Sequence, residues 1–180
     1  MKLVQPIRDK EILEDIKLFY KEDSERNYVL FLLGINTGLR ISDILRLKVN
    51  DVKDRYIVVV EQKTKKQRWI KVTSELRKAL KEFIADKEDN EYLFKSRQGR
   101  NKPIGRSMAY KILRRAADEF KLKNIGTHTL RKTFGYHFYY QTKDVAMLQE
   151  IFSHSDPAIT RRYIGVNQDA IDQAMSKFKI

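Results

Sequence analysis

The sequence predicts a mainly helical fold with a small antiparallel β-sheet, an α+β arrangement. Three observations carry this. Most of the chain spaces its apolar residues at helical intervals. One early pair of β-branched stretches flanks a short polar tip. The 180 residues, 42% of them apolar, are enough to bury a core without disulfide or metal staples.

Taken in order, residues 9–22 place Ile12, Leu13, Ile16, Leu18 and Phe19 close to helical spacing. Ser24 suits the cap of a second helix over 25–37, which is apolar nearly all round and therefore central. Gly38 stops it, because glycine tolerates the left-handed conformation that ends many helices. Arg40 then opens a short helix with Ile41, Ile44, Leu45 and Leu47. An arginine between a buried helix and a turn is held rigidly, which suits a site residue.

Residues 56–61 and 68–72 are rich in β-branched and aromatic side chains and pair as strands around a basic hairpin tip, Gln62 to Gln67. A helix is expected over 74–86, a short strand or turn at 91–94, and a basic loop with two glycines and a proline at 95–106. The next helix runs to about 120, with Met108, Ile112, Ala116 and Phe120 expected to face the core. Helices follow at 128–141 and 144–152, and Pro157 fits the first turn of another that carries Arg161, Arg162 and Tyr163. The last helix, about 167–178, bears the stripe Ile171, Ala174, Met175 and Phe178, which is expected to fold back on its own domain or to dock on a neighbour. No domain boundary, repeat or flexible linker interrupts the chain, so 1–180 reads as one domain.

Lys plus Arg number 37 against 24 Asp plus Glu, a net charge of +13. Such an excess favours a polyanion, nucleic acid ahead of an anionic membrane surface, since no long basic amphipathic helix with aromatic anchors stands out. With no cysteine, disulfides, thiolate catalysis and Cys-type zinc sites are excluded. The amino terminus lacks the apolar core of a signal peptide, and no apolar run approaches the ~20 residues of a membrane span. The expectation is a cytoplasmic, DNA-associated protein.

The candidate chemistry lies in a few boxes: Thr37-Gly38-Leu39-Arg40-Ile41-Ser42-Asp43, then His128-x-x-Arg131, then His154, then Tyr163. Arginine presents a planar fork of donors that matches phosphate oxygens. Histidine moves a proton near neutrality, and tyrosine can become a covalent nucleophile. Two arginines, two histidines and a late tyrosine are the parts needed to attack a phosphodiester without a metal. Each alone has an ordinary explanation: HxxR as a surface pair on one helix face, His154 as a cap neighbour, Tyr163 as one of nine tyrosines at a core edge.

Together, TGLRISDIL, THTLRKTF and FSHSDPAITRRYI resemble the tyrosine recombinase (phage integrase) family, in its order and with its spacings, over its catalytic domain from about residue 6 onward. The resemblance implies that Arg40 and Arg131 are the active-site arginines, Asp43 a support for the site, Lys63 the hairpin lysine, His128 and His154 the histidines, and Tyr163 the nucleophile. His137 falls where many relatives carry a histidine and reads as packing. Lys65 and Lys66 compete with Lys63, because the glycines that often flank this lysine in the family are replaced here. Lys65, Lys66, Arg106, Lys111, Arg114 and Arg115 are candidates for DNA contact.

In chemical terms, Arg40 and Arg131 stabilise charge on the non-bridging oxygens, and Lys63 protonates the leaving 5′-oxygen. Nearby cations are expected to favour the charged form of a phenol whose ordinary pKa is about 10. The implied product is a 3′-phosphotyrosyl link formed without cofactor, metal or ATP. Implied partners are double-stranded DNA, further copies of the chain in a tetramer, and an accessory directionality protein. The amino-terminal domain that completes a DNA clamp in most of the family is expected to be absent, from either an excised domain or a naturally short recombinase. A type IB topoisomerase and a site-dead DNA-binding regulator are the alternatives.

Overall fold

The computed structural model describes residues 4–179; Met1 to Leu3 and the last residue lie outside it, and so do the ends of the 1–180 domain assignment. The helices are α1 (Lys10–Asp23), α2 (Glu25–Thr37), α3 (Ile41–Ile44), α4 (Ser74–Phe83), α5 (Arg106–Glu119), α6 (Thr129–Thr142), α7 (Val145–Phe152), α8 (Pro157–Ile164) and α9 (Val166–Lys177). Strands β1 (Tyr56–Val60) and β2 (Gln67–Lys71) form an antiparallel hairpin with Val58 opposite Trp69 and Val59 opposite Arg68. The expected α+β architecture is thus the observed one.

Local chemistry sets the boundaries. The Asp9 carboxylate accepts from the Glu11 and Ile12 amides and starts α1. Ser24 accepts from Asn27 at the start of α2, and Asp156 caps α8 just before Pro157. Gly38 ends α2 with φ at 65°. A Cβ there would also stand 2.6 Å from the Phe134 ring, so both conformation and space require glycine.

Helix α2 is central, packed by α1, α4 and α6. Its approach to α6 is close because Gly34 meets Leu130: a methyl group at Gly34 would lie 2.3 Å from Leu130 Cδ1 and 2.6 Å from its Cβ. A rotamer change cannot move that Cβ, so α6 itself would have to shift. Gly34→Ala is therefore expected to lower the unfolding free energy by about 1–3 kcal/mol. Alanine's helix preference of about 1 kcal/mol offsets only part of this. Denaturant titration checks it, and a stabilised variant would contradict the close packing.

A second, smaller cluster forms beneath α7 and α8 from Leu148, Phe152, Ile164 and Val166, with Phe134 and Tyr163 packed on it. An amino-terminal strap crosses α6: the Ile7 amide donates to Thr133 Oγ1 at 2.9 Å, His137 Nε2 lies 2.9 Å from the Ile7 carbonyl, and Lys132 donates to the Val4 carbonyl. His137 thus lies against this strap, away from the residues that line the cleft.

One sequence expectation is corrected, and a second meets an exposed surface. Met108 does not face the core but is 44% exposed; the buried stripe of α5 is Ala109, Ile112, Leu113, Ala116 and Ala117, with Phe120 partly buried at its edge. The stripe on α9 does not fold back on the core: Ile171, Met175 and Phe178 are 55%, 63% and 64% exposed, although Asp169 is paired with Arg8 at 3.0 Å. Among the described residues, no helix is long and apolar enough to cross a membrane.

Candidate active site

Four distant segments converge on one cleft. Arg40, Lys63, Thr64, His128, Arg131, Ser153, His154 and Tyr163 line it, so all six residues singled out as catalytic candidates share one wall. Lys65 and Lys66 are exposed at the hairpin tip and do not line it; Lys65 holds φ at 59° where the hairpin turns back. Of the three hairpin lysines, Lys63 is the one that lines this cleft.

Arg40 is the cap residue of α3, placed by the left-handed turn at Gly38 and the buried Leu39. Asp43, on α3, accepts from the Gln62 amide at 3.0 Å and so ties this box to the hairpin. Its other oxygen, Oδ2, is buried with no partner among the described residues. Such a group costs about 1–3 kcal/mol.

Arg131 sits in the first turn of α6 and is 2% exposed. It donates to the Gly38 carbonyl at the end of α2 and, at 2.9 Å, to the Phe152 carbonyl at the end of α7. Its guanidinium lies 4.3 Å from the centre of the Phe152 ring. The arginine that faces the cleft also stitches two helix ends together.

Tyr163 reaches the cleft from α8. Its hydroxyl is 3.3 Å from His128 Nδ1, and its ring meets the His154 ring edge-on at 5.2 Å between centres. Lys132 Nζ is 5.0 Å from the centre of the Tyr163 ring. His154 Nδ1 lies 3.0 Å from the hydroxyl of the buried Thr160. When that hydroxyl donates, the ring proton sits on Nε2.

Burial governs the protonation states. It pushes the Tyr163 phenol up, and the charges of Arg131 and Arg40 only partly oppose it. The two cations do favour the charged form, as expected, but burial outweighs them and the phenol is protonated at neutral pH in this DNA-free form. Burial, then the charges of Arg131, Arg40 and Lys63, pushes His154 down to about 4. Desolvation of its inner face, then Arg131, Lys132, Arg106 and Arg40, pushes His128 down as well. Arg131, lowered to about 10 chiefly by burial, is still charged at neutrality.

These histidine shifts have a sign. A histidine with a lower pKa when folded binds fewer protons than the unfolded chain as pH falls below about 6.5, so acidification destabilises the fold. His137, also lowered chiefly by burial, acts in the same direction. The thermal midpoint is expected to be level from pH 8 to 7 and to fall from pH 6.5 to 5. His154→Gln should fall less steeply over that window. A midpoint that rises on acidification would overturn this.

The candidate DNA-contact residues are scattered. Arg106 is near enough for its charge to act on His128, and Lys111 lines a separate groove with Arg26 and Arg97. Arg114 is paired with Asp118, and Arg115 holds Asp23 through two bonds of 2.8 and 2.9 Å. Exposed pairs of this kind are weak and open readily for a phosphate. Among the described residues, no group of three or more His, Asp or Glu is placed to hold a metal ion.

Glu61 and Arg68 were not singled out from sequence. Glu61 is fully buried between Arg40, at 3.1 Å, and Arg68, at 3.0 Å. A carboxylate ending an otherwise apolar strand just before a basic tip was the available signal.

The chain matches the model of the phage integrase family over residues 8–169. It is 50% identical over 179 residues to the probable integrase/recombinase YoeC of Bacillus subtilis, covering 99% of this chain and 98% of that one. It is 26% identical over 177 residues to the tyrosine recombinase XerA of Pyrococcus horikoshii, covering 95% of this chain and 62% of that one. The fold resembles a crystal structure of XerA recombinase, with TM-score 0.76 and 22% identity over 98% of this chain and 65% of that one. It also resembles XerH recombinase bound to palindromic difH in a post-cleavage complex, with TM-score 0.73 and 22% identity over 98% and 54%.

Proposed function

We propose, from the premise that the chain belongs to the phage integrase family, that it cuts and rejoins DNA through a 3′-phosphotyrosyl link at Tyr163. The chain is a tyrosine recombinase, an enzyme of site-specific recombination, in line with the integrase/recombinase it matches at 50% identity over nearly its whole length. The observation that carries the assignment of residues is the single cleft lined by Arg40, Lys63, His128, Arg131, His154 and Tyr163.

The chemistry follows from the geometry. The Tyr163 oxygen attacks phosphorus while the bond to the 5′-oxygen breaks. The phenolic proton passes to neutral His128, whose Nδ1 is 3.3 Å away. Lys63 gives the leaving 5′-oxygen its proton. Arg40 and Arg131 bind the non-bridging oxygens where charge builds up, and His154 adds a hydrogen bond. A 5′-hydroxyl from another strand then attacks the phosphotyrosine and releases Tyr163. The phosphoester is conserved, so no nucleotide is consumed.

Double-stranded DNA is the partner, consistent with the DNA complex of the XerH structure and with the charge of +13. Lys65, Lys66, Arg106, Lys111, Arg114 and Arg115 would contact its backbone. Strand exchange requires several copies on DNA, a tetramer in this reading, with an accessory protein setting direction. Topoisomerase-type relaxation and a site-dead regulator are not favoured, given the integrase/recombinase relative.

Covalent trapping tests the reading. Protein is mixed with nicked fragments of its source genome in chelator and without ATP, then denatured in detergent. The linked DNA is sequenced and the linked peptide identified. Recurring adducts at one sequence on the Tyr163 peptide are expected; binding without any adduct would favour the regulator. Lys63→Ala should slow the adduct by roughly 10²- to 10⁴-fold. Lys65→Ala and Lys66→Ala should instead weaken binding and reduce its salt slope by about one unit each. The reverse pattern would move the acid to Lys65 or Lys66.

A further inference from the structure

We propose that Glu61 is a positioning residue of this site: it fixes Arg40 and the hairpin tip against each other, so that the arginine's free donors and the Lys63 amine meet the same phosphate. The proposal rests on the recombinase reading and extends it to a residue outside the recognised boxes.

Glu61 follows β1 directly and is completely buried. Its Oε2 receives Arg40 Nη1 at 3.1 Å and the Thr64 hydroxyl at 2.8 Å, while its Oε1 receives Arg68 Nη1 at 3.0 Å. Thr64 is the neighbour of Lys63. Arg68 Nη1 also donates to the Ile151 carbonyl near the end of α7, three residues before His154. One carboxylate therefore joins three parts of the cleft that lie far apart in sequence: the arginine after α2, the lysine-bearing tip, and the turn that carries His154.

Three side-chain donors hold this fully buried carboxylate. It has no open direction in which to swing, so it stays in place when a phosphate enters. Burial alone would push its acid form up, but the hydrogen bonds from Thr64 and Arg68 and the charges of Arg68 and Arg40 hold it below its ordinary value. It is therefore a fixed anion at neutral pH. Of Arg40's five N–H donors, one is committed to Glu61, which sets the plane in which the others point. The one buried carboxylate offsets part of the positive charge that Arg40 and Arg68 bring to the cleft. The backbone contributes in parallel, since Gln62 donates to Asp43 on the Arg40 side.

The test is Glu61→Gln, which keeps shape and removes charge, in the full chain on genomic DNA fragments that trap the wild type. Adduct formation at saturating DNA should slow by roughly 10- to 100-fold, with the half-saturating DNA concentration changed less than about 3-fold. In an Arg40→Lys background the same substitution should cost less than about 3-fold more, because its effect passes through Arg40. Three results would overturn the assignment: a rate within about 3-fold of wild type, full additivity with Arg40→Lys, or a Glu61→Gln chain that no longer folds and so marks a purely structural carboxylate. A wild type that forms no adduct is a different failure, since it removes the recombinase reading itself.

Discussion

Tyr163→Phe is expected to leave a folded protein that binds DNA and forms no covalent adduct, a loss of at least roughly 10⁴-fold. The ring's contacts survive the change: Phe152 at 5.5 Å, His154 at 5.2 Å between centres, and Lys132 over its face. What disappears is a hydroxyl that lies 3.3 Å from His128 Nδ1 and also hydrogen-bonds to Arg131. Removing such a group changes stability by about 1 kcal/mol or less. The thermal midpoint should accordingly stay near that of the wild type, which separates loss of a nucleophile from loss of a fold. The other tyrosines of this region, Tyr136, Tyr139 and Tyr140, lie further along α6 and do not line the cleft. An adduct that persists in Tyr163→Phe at the same DNA sequence would transfer the nucleophile to another residue and sink the assignment.

The boxes were legible because each spacing has a local meaning. Gly38 had to end an all-apolar helix, and Arg40 two residues later had to be held rigidly; both follow from periodicity and backbone chemistry. The meeting of Arg40, Lys63, His128, His154 and Tyr163 did not follow from spacing, and came only with the family resemblance. Glu61 and Arg68 stayed unread because their partnership depends on the hairpin's register and on the burial of its base, neither of which is written in a five-residue strand. Met108 was misread for a geometric reason. A strict repeat of four drifts by about 40° per step on a helix of 3.6 residues per turn, so Met108, three steps back from Phe120, falls beyond the edge of the stripe that Ala109, Ile112, Leu113, Ala116 and Ala117 bury. On α9 the apolar stripe declared what needs covering, but an amphipathic pattern does not name the cover.

Arg131 offers the second large effect, because its two duties can be separated by substitution. Of its five donors, two are spent on the carbonyls of Gly38 and Phe152, and the others face the cleft side, where Arg131 also hydrogen-bonds to Tyr163. Those carbonyls end α2 and α7, where helices lack internal partners. Arg131→Ala removes both bonds and the charge. It should cost about 3–5 kcal/mol of stability as well as the reaction. Arg131→Lys keeps a cation and can satisfy one carbonyl, so it should lose only about 1–3 kcal/mol. It cannot present a fork, however, and its adduct rate should still fall by roughly 10²- to 10³-fold. A lysine variant that reacts within about 3-fold of wild type would show that charge alone suffices. An alanine variant that melts with the wild type would show that the stitching of α2 to α7 carries no weight. The expected split, with stability largely rescued by lysine and reactivity not, would mean that the same bonds that hold the helix ends also aim the guanidinium, so that at this position the fold and the chemistry share their contacts.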